Sequence, residues 1–481
     1  MAVSTIPAPG FPVTLEWFNT DHPARLTEYR GRVVLLNFST YGSLQCVRTL
    51  DDLEYLENRY QDKLMVIGVH TSRFPGERTA SHIQKTISRH HINHPLVNDA
   101  DICLAQQYGI RRKHAIVVID TSGNILGSVS SGNKRYKLDR IIGQLLCKTD
   151  NPVRGTGTTA TRQREPVRPL SFPGRILAAN NRVFIADSGH NRILETSGQG
   201  QVLHQYGSIS PGLIDGIGTS AAFNNPQGMA LSDEYLYVAD TGNHAIRRIH
   251  LQSEDVITIA GTGKPGSPPE SDYFSTPEDV DLNAPCGLVL RSNVIYIAMS
   301  GMHQVWALSL ITNRLEIFAG SGSKNLKDGA SRIASFAQPS ALTIMGNTLY
   351  AVDAESSSVR AIDLDTRNVL TLTGTGLHDF GYCDGSTADA KFQYPLDLNA
   401  DQHGKSLWVA DTYNNKIRRI GVDNNLVSSV PVDYPLNQPG GLAFDDDTLY
   451  IANTNLHEIV RINLRNGNSD TLNVNDESAG I

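Results

Sequence analysis

Cysteine is scarce in this chain, with five residues scattered over a length of 481. So few thiols exclude a disulfide-built scaffold, and none of them has the paired Cys/His spacing of a structural zinc site. The sequence also lacks any run near the ~20 apolar residues that a membrane-spanning helix needs. Basic residues are not in excess, because the formal net charge is -7, and this argues against a nucleic-acid-binding surface.

The N-terminal stretch 1–14 contains three prolines and lacks the basic-then-apolar pattern of a signal peptide. We therefore expect a cytoplasmic protein that does not enter a membrane. Hydrophobic residues make up 40% of the chain and charged residues 19%, which is typical of a globular protein. The 41 glycines and 22 prolines favour a chain rich in β-strands and turns.

The composition changes along the chain and predicts two domains. Residues 1–150 alternate apolar strands with amphipathic helices, which indicates an α/β sandwich. Residues 151–169 are polar and rich in Gly, Thr, Arg and Pro, so we assign them to a linker. Residues 170–481 consist almost entirely of short strands and turns.

The first domain resembles the thioredoxin fold. The apolar run Gly31–Phe38 looks like the first core strand of that family, and Ser39–Cys46 falls where its redox motif lies. The segments GVHTSRFPGER and HHINHPLVNDAD are similar to the subfamily in which a thioredoxin-like domain precedes NHL repeats. This resemblance implies a thioredoxin-like sandwich over most of residues 12–147.

The second domain is built from six repeats, each marked by a proline with a large apolar residue three places before it. A strand of the LYVAD type ends fourteen residues after each marker, or sixteen in the fifth unit. The markers are Pro173, Pro226, Pro285, Pro339, Pro395 and Pro439. Four short strands in each of six units predict a six-bladed β-propeller, because one unit alone cannot bury both faces of its sheet.

The phrases DSGHNRI and DTGNHAI, which begin at Asp187 and Asp240, resemble the NHL repeat. The subfamily resemblance implies a further β domain after the propeller, which these 481 residues do not include. Unit three replaces the usual Asp-Gly turn between units with the long irregular segment 264–281. We expect this segment either to contact a partner or to be a solvated insertion.

Redox chemistry is the first candidate activity, and two of its landmarks are missing. A thioredoxin-type enzyme attacks disulfides with the first thiol of a Cys-x-x-Cys motif at a helix N-terminus. The matching residues here are Ser43-Leu44-Gln45-Cys46, so only the resolving position keeps its sulfur. The family's cis-proline aligns with His114, where a trans peptide is expected because a cis bond there costs about 2.5–4 kcal/mol. His114 is also a candidate to activate Cys46.

Recurring polar residues are best interpreted as structural. Aspartates recur at the strand ends and are expected to accept backbone N–H groups in tight turns. His244, His303 and His457 share one repeat slot with asparagine and serine, which predicts a turn hydrogen bond inside each blade rather than a metal site. Arg247-Arg248 and Arg418-Arg419 alternate between the two faces of a strand, and we expect them to pair with the aspartates rather than with RNA.

These observations favour a non-catalytic protein-interaction scaffold with no cofactor and no metal. Its expected protein partner would bind the propeller face or segment 264–281. Three alternatives remain: a thiol oxidoreductase or peroxide-reactive protein that uses Cys46, a small-molecule or carbohydrate site in the propeller channel, and RNA binding on the propeller face.

Overall fold

The computed structural model describes residues 6–110, 114–130, 134–147, 166 and 168–475, without the side chain of Gln45. The chain divides into two compact units, Met1–Pro166 and Val167–Ile481. Most of the segment 151–169, predicted to be a linker, lies outside the described residues.

The first unit is a seven-stranded mixed sheet with helices, and it confirms the predicted thioredoxin-like sandwich. The sheet has the strand order β1-β7-β6-β3-β4-β5-β2. Its elements in chain order are β1 (Ile6–Pro7), β2 (Glu16–Phe18), β3 (Val33–Ser39), α1 (Leu44–Tyr60), β4 (Leu64–His70), α2 (Ala80–Arg89), β5 (Leu96–Asn98), α3 (Cys103–Gln107), β6 (Ala115–Ile119), β7 (Asn124–Val129) and α4 (Lys134–Leu146).

Strand β3 is apolar throughout because both of its faces are covered. Val34, Leu36 and Phe38 pack into one core, and Val33 and Leu35 pack into another beneath α1 and α4. A strand buried on both sides cannot show the alternation of a half-exposed strand, which explains the continuous apolar run. The strand pairs in parallel with β4 and antiparallel with β6, so it lies at the centre of the sheet.

The second unit consists of six antiparallel sheets and confirms the six-bladed propeller. Blade one contains β8 (Arg175–Ala179), β9 (Arg182–Asp187), β10 (Arg192–Ser197) and β11 (Val202–Tyr206); blade two contains β12 (Gly216–Ile217), β13 (Pro226–Leu231), β14 (Tyr235–Asp240), β15 (Ala245–His250) and β16 (Asp255–Ala260); blade three contains β17 (Tyr273–Phe274), β18 (Pro285–Arg291), β19 (Val294–Met299), β20 (Gln304–Ser309) and β21 (Arg314–Ala319). Blade four contains β22 (Pro339–Met345), β23 (Thr348–Asp353), β24 (Ser358–Asp363) and β25 (Val369–Thr373); blade five contains β26 (Gly385–Ser386), β27 (Asp397–Ala400), β28 (Ser406–Asp411), β29 (Lys416–Gly421) and β30 (Leu426–Ser429); blade six contains β31 (Pro439–Asp445), β32 (Thr448–Asn453), β33 (Glu458–Asn463) and β34 (Ser469–Leu472).

Segment 264–281 is more regular than its sequence predicts. Its residues Tyr273 and Phe274 form β17, which pairs with β21 and becomes the outer strand of blade three. The Asp-Gly connections of blades two and five place β12 and β26 in the same position. The segment therefore supplies, from a different sequence, the fifth strand that blades two and five also have.

The residue at the end of the LYVAD-type strand performs one task in all six blades. Its side chain accepts the backbone N–H of the residue two places before the marker proline of the same blade. The acceptor–donor pairs are Asp187–Ser171 at 2.6 Å, Asp240–Asn224 at 2.8 Å, Met299–Asn283 at 3.4 Å, Asp353–Ala337 at 2.7 Å, Asp411–Gln393 at 2.8 Å and Asn453–Asn437 at 2.7 Å. The structural interpretation of the recurring aspartates is thus confirmed.

Fully buried arginines join these strand ends to the connections between blades. Arg247 donates to Asp240 at 2.9 Å and to Asp215, in the Asp-Gly connection, at 2.8 Å. Arg418 pairs in the same way with Asp411 at 2.9 Å and with Asp384 at 2.6 Å. Each of these side chains is 0% exposed, and the two Nη groups of each guanidinium donate to two carboxylates and to backbone carbonyls.

His244, His303 and His457 occupy one position of the repeat, and the side chain at this position hydrogen-bonds to the next blade. The prediction of a hydrogen bond inside each blade is therefore wrong. Each residue at this position has a left-handed backbone conformation. Its side chain accepts a hydrogen bond from the backbone N–H of the residue just before the next blade's marker proline. We call these six bonds the seam bonds. They are Asn191–Asn225 at 2.9 Å, His244–Ala284 at 3.1 Å, His303–Gln338 at 3.1 Å, Ser357–Tyr394 at 3.2 Å, Asn415–Gln438 at 2.7 Å and His457–Phe172 at 3.2 Å.

The last seam bond closes the ring between blades six and one. All four strands of each of these blades come from one contiguous stretch of chain, so the described ring closes without strand exchange. Thr454 strengthens the same seam by donating to the carbonyl of Pro173 at 2.8 Å. An apolar core that includes Leu170, Ile185 and Tyr450 spans both blades.

We expect the His457→Gly variant to lose about 1 kcal/mol of propeller stability, because one buried N–H loses its acceptor. Glycine adopts the φ of +61° at this position without strain, so the loss reports the missing side chain, which makes the bond and also packs on Phe172 with ring centroids 4.2 Å apart. Denaturant unfolding of the full chain measures this difference. His457→Asn is the control, because asparagine makes the same bond in blades one and five and lacks only the ring contact, so it should recover most of the lost stability. Equal stability of the glycine and asparagine variants would contradict this role.

Candidate functional site

The pairing of β3 with β6 brings together the two candidate residues of the thioredoxin-like unit. Phe38 lies opposite Ala115 in this antiparallel pair. The loop after β3 and the residue before β6 therefore meet where β3 ends and β6 begins. Cys46 follows that loop in the first turn of α1, and His114 immediately precedes β6. The topology thus places Cys46 next to His114, although the two residues are 68 positions apart in sequence.

Helix α1 begins directly after Ser43. This residue has an extended backbone, and its carbonyl accepts the backbone N–H groups of Cys46 at 2.9 Å and Val47 at 3.1 Å. Its side chain makes no capping hydrogen bond. The serine therefore occupies the position of the attacking thiol in the family motif, and its hydroxyl cannot replace that thiol in disulfide exchange.

The sulfur of Cys46 lies 2.7 Å from Nδ1 of His114. At this distance the thiol donates its proton to the imidazole, or the protonated imidazole donates to the thiolate. A helix N-terminus also favours the thiolate, because the backbone dipoles of the first turn point toward it. Cys46 is only 1% exposed, so its immediate surroundings exclude bulky reagents. The expected trans peptide before His114 stays a prediction, because the preceding residue lies outside the described residues.

A buried carboxylate fixes the loop that leads to this helix. Glu77 is 0% exposed, and one of its oxygens accepts from the hydroxyl of Thr40 at 2.7 Å and from the N–H of Gly42 at 3.2 Å. The other oxygen accepts the N–H groups of Arg73 at 2.7 Å and Phe74 at 3.0 Å. The sequence analysis missed this residue, although Pro75-Gly76-Glu77 is a recognisable start of a capped helical turn.

Three aromatic side chains pack behind the loop. Tyr41 stacks on His70 with ring centroids 5.6 Å apart, and His70 lies 6.2 Å from His82. Burial lowers the pKa of His82 to about 4, against the opposing charge of Glu77, and burial also lowers the pKa of His70. Both histidines are therefore neutral when the unit is folded at pH 7.

A buried lysine lies near the same helix. Lys134, the first residue of α4, is 7% exposed, and its Nζ donates to Oγ1 of Thr49 at 2.8 Å. Burial lowers the pKa of Lys134, and the negative charges of Cys46 and then Asp52 oppose this shift. The sequence carries no signal for this residue, because a lysine at a helix start is ordinarily solvated.

The histidine cluster HHINH does not assemble a metal site. His94 approaches Glu57 at 3.4 Å, and His90 packs against Tyr41 with ring centroids 6.4 Å apart. Among the residues that the structure describes, no group of three His, Cys, Asp or Glu side chains could hold a metal ion.

The paired arginines of the propeller have structural partners on both faces of their strands. Arg247 and Arg418 are buried against carboxylates. Arg248 lies over the ring of Tyr235 at 4.7 Å, and Arg419 lies over Trp408 at 6.0 Å. These contacts explain the arginine pairs without an RNA ligand.

An arginine also spans the axis of the propeller. The guanidinium of Arg175 donates to the carbonyls of Ser340 at 3.2 Å and Leu396 at 2.7 Å, and it also bonds the carbonyl of Gly440. It lies 3.8 Å from Asp397, whose pKa burial raises to about 6 against the charge of Arg175. Both residues line an axial cavity of about 320 Å³. The sequence analysis missed this arginine, because the other innermost strands have no counterpart.

Comparison with known proteins places the chain in a family. The thioredoxin-like family model matches residues 31–125, and the NHL repeat model matches residues 223–249. NHL repeat-containing protein 2 of Bos taurus is 36% identical over 507 aligned residues, which cover 95% of this chain and 70% of that protein. The chain belongs to the NHL repeat-containing protein 2 family. The family resemblance stated from the sequence is confirmed.

Two further proteins are similar to this chain over different shares of its length. The chloroplastic protein SUPPRESSOR OF QUENCHING 1 of Arabidopsis thaliana is 34% identical across 95% of this chain and 47% of its own length. The thiol-disulfide oxidoreductase YkuV of Bacillus subtilis is 23% identical across 24% of this chain and 78% of its own length. No helix within the described ranges is long and apolar enough to cross a membrane, and the cytoplasmic location stays a prediction.

We expect the thioredoxin-like unit to lose stability as the pH falls from about 6.5 toward 4. Because the folded-state pKa of His82 lies below its ordinary value of 6.5, the neutral residue stabilises the fold above that pH, and protonation removes this contribution below it. Each such histidine adds up to about 1.4 kcal/mol per pH unit to the slope. Urea unfolding at several pH values measures the slope.

The variant His82→Gln should flatten this dependence. The exposed His22→Gln serves as the control and should leave the slope unchanged. A slope that is the same in the wild type and the His82 variant would show that His82 titrates alike in the folded and unfolded states.

Proposed function

We propose that the thioredoxin-like unit is a single-thiol redox centre in which Cys46 reacts with small oxidants such as hydroperoxides. One observation supports the proposal above the others, the 2.7 Å contact between the sulfur of Cys46 and Nδ1 of His114. A base at this distance can take the thiol proton and later return it to a leaving group.

The surroundings of Cys46 favour small reagents over protein disulfides. Ser43 takes the place of the attacking thiol, so no intramolecular disulfide can form between the two motif positions. With 1% of Cys46 exposed, a protein disulfide has no room to approach, whereas a hydroperoxide is little larger than two water molecules. The relation to a thiol-disulfide oxidoreductase supports thiol chemistry in general, and the serine argues against its two-cysteine form.

The proposed reaction balances with a low-molecular-weight thiol as the reductant. The Cys46 thiolate attacks one oxygen of the hydroperoxide, so an S–O bond forms, the O–O bond breaks, and the leaving alkoxide takes the proton held by His114. The product is a sulfenic acid. One reductant thiol condenses with it to a mixed disulfide and releases water. A second reductant thiol then cleaves the mixed disulfide, restores Cys46 and leaves as the oxidised reductant.

We expect hydrogen peroxide to add one oxygen atom to Cys46, and mass spectrometry should detect this oxygen adduct, which the Cys46→Ser variant does not form. The His114→Phe variant should slow adduct formation about 100-fold at pH 7, because the base is lost. Cys103→Ser is the matched control, since it removes an exposed thiol elsewhere in the unit and should leave the Cys46 adduct intact. Absence of any adduct on Cys46 in the wild type would contradict this function.

A non-catalytic protein-interaction scaffold is the second candidate, and a feature of blade three favours it. Strand β17 is the outer strand of its sheet, and Tyr273 is 57% exposed beside Arg314, whose guanidinium lies 4.4 Å from the ring. An edge strand with an exposed aromatic residue suits the addition of an extended peptide strand from a partner.

A photo-crosslinking amino acid at position 273 is expected to capture a discrete protein partner in cells. The matched control carries the same group at Ile311, which is 78% exposed on the same blade, and should capture none. The same adducts at both positions, or none at either, would exclude β17 as the contact surface.

A further inference from the structure

Lys134 is a buried cation whose ammonium group donates a hydrogen bond to a neutral group. Its Nζ donates to the hydroxyl of Thr49 at 2.8 Å, and the residue is 7% exposed. A hydroxyl positions an ammonium group but does not neutralise its charge. Because burial of a charge costs free energy unless a counter-charge compensates it, the ammonium group of Lys134 requires an anion nearby.

Helix α1 presents two acidic groups near Thr49. Cys46 lies three residues before Thr49 and Asp52 three residues after it, so all three share one face of the helix. Asp52 already pairs with Arg135 at 2.9 Å. Cys46 is the acidic group of this face that is itself buried, and it lies one helical turn from the hydroxyl that holds the ammonium group of Lys134.

We propose that Lys134 is a positioning residue that holds the counter-charge of the Cys46 thiolate, with Thr49 fixing the ammonium group one helical turn away. This inference rests on the single-thiol function proposed above and assigns it a second basic group. His114 exchanges the proton of Cys46, whereas Lys134 keeps its own proton and stabilises the charge that remains on sulfur. The two basic side chains come from the residue before β6 and the first residue of α4.

These different roles of His114 and Lys134 predict how the loss of Lys134 changes the pH dependence of Cys46 reactivity. Loss of the ammonium group raises the pH at which Cys46 ionises, so the thiol reacts more slowly near neutral pH. Above that pH the thiolate forms in either protein, and the two rates converge. A residue that only packs would not move the ionisation midpoint while leaving the high-pH rate unchanged.

The test uses the full chain and the variants Lys134→Met, Lys134→Arg and Lys137→Met. Thiolate absorbance at 240 nm is titrated with pH, with Cys46→Ser as the baseline to be subtracted, and alkylation of Cys46 by iodoacetamide is followed by mass spectrometry. Lys134→Met should raise the ionisation midpoint by about one pH unit and slow alkylation about tenfold at pH 7, with equal rates at pH 10. Lys134→Arg should restore most of the wild-type behaviour. Lys137 is exposed on the same helix, and its variant should match the wild type.

The outcomes separate this inference from the function on which it rests. If Cys46 gives no thiolate signal and no alkylation below pH 10 in the wild type, the single-thiol function fails. If Cys46 reacts but Lys134→Met behaves like Lys137→Met, the function stands and the role of Lys134 is overturned. If Lys134→Met does not fold, as judged by circular dichroism, Thr49→Val decides. That variant keeps the ammonium group but frees it, so a midpoint shifted upward supports the role and an unchanged midpoint overturns it.

Discussion

A buried polar group must find a partner, and most of this architecture follows from that constraint. Propellers bring many chain reversals into their interior, and each leaves backbone N–H groups that no strand can satisfy. Here the strand-end side chains and the seam bonds meet those donors in all six blades. Arginines such as Arg247 and Arg418 neutralise the buried strand-end carboxylates and also bind the connections between blades. The need to satisfy backbone N–H groups thus leads to the hydrogen bonds that join neighbouring blades.

The repeat register could be predicted from sequence because it depends on residues close together in the chain. Marker prolines, strand ends and turn glycines repeat at fixed spacing, and they were sufficient for the blade count and the fold class. The seam bonds could not be assigned in the same way. His457 and Phe172 are distant in sequence, and a histidine four residues after a strand looks the same whether it bonds inside its blade or across to the next.

Groups that occur once in the fold were the hardest to foresee. Arg175 has no equivalent in the other blades, and Lys134 and Glu77 show ordinary surface residue types whose burial only the packed structure reveals. In contrast, Cys46 and His114 could be proposed as neighbours, because the resemblance to thioredoxin fixes which strand lies beside which helix. Their contact distance depends on the packed structure, and so does the extent to which the sulfur is covered.

The way in which the ring closes has a consequence for its evolution. Each blade is one uninterrupted piece of chain, and the seam between blades six and one uses the same bond as the other five. No seam is marked as the place where the chain must begin. A gene that started at any other blade would encode the same seam bonds, so cyclic reordering of whole blades meets no barrier in this bonding pattern. Which blade comes first along the chain is then not a requirement of the fold.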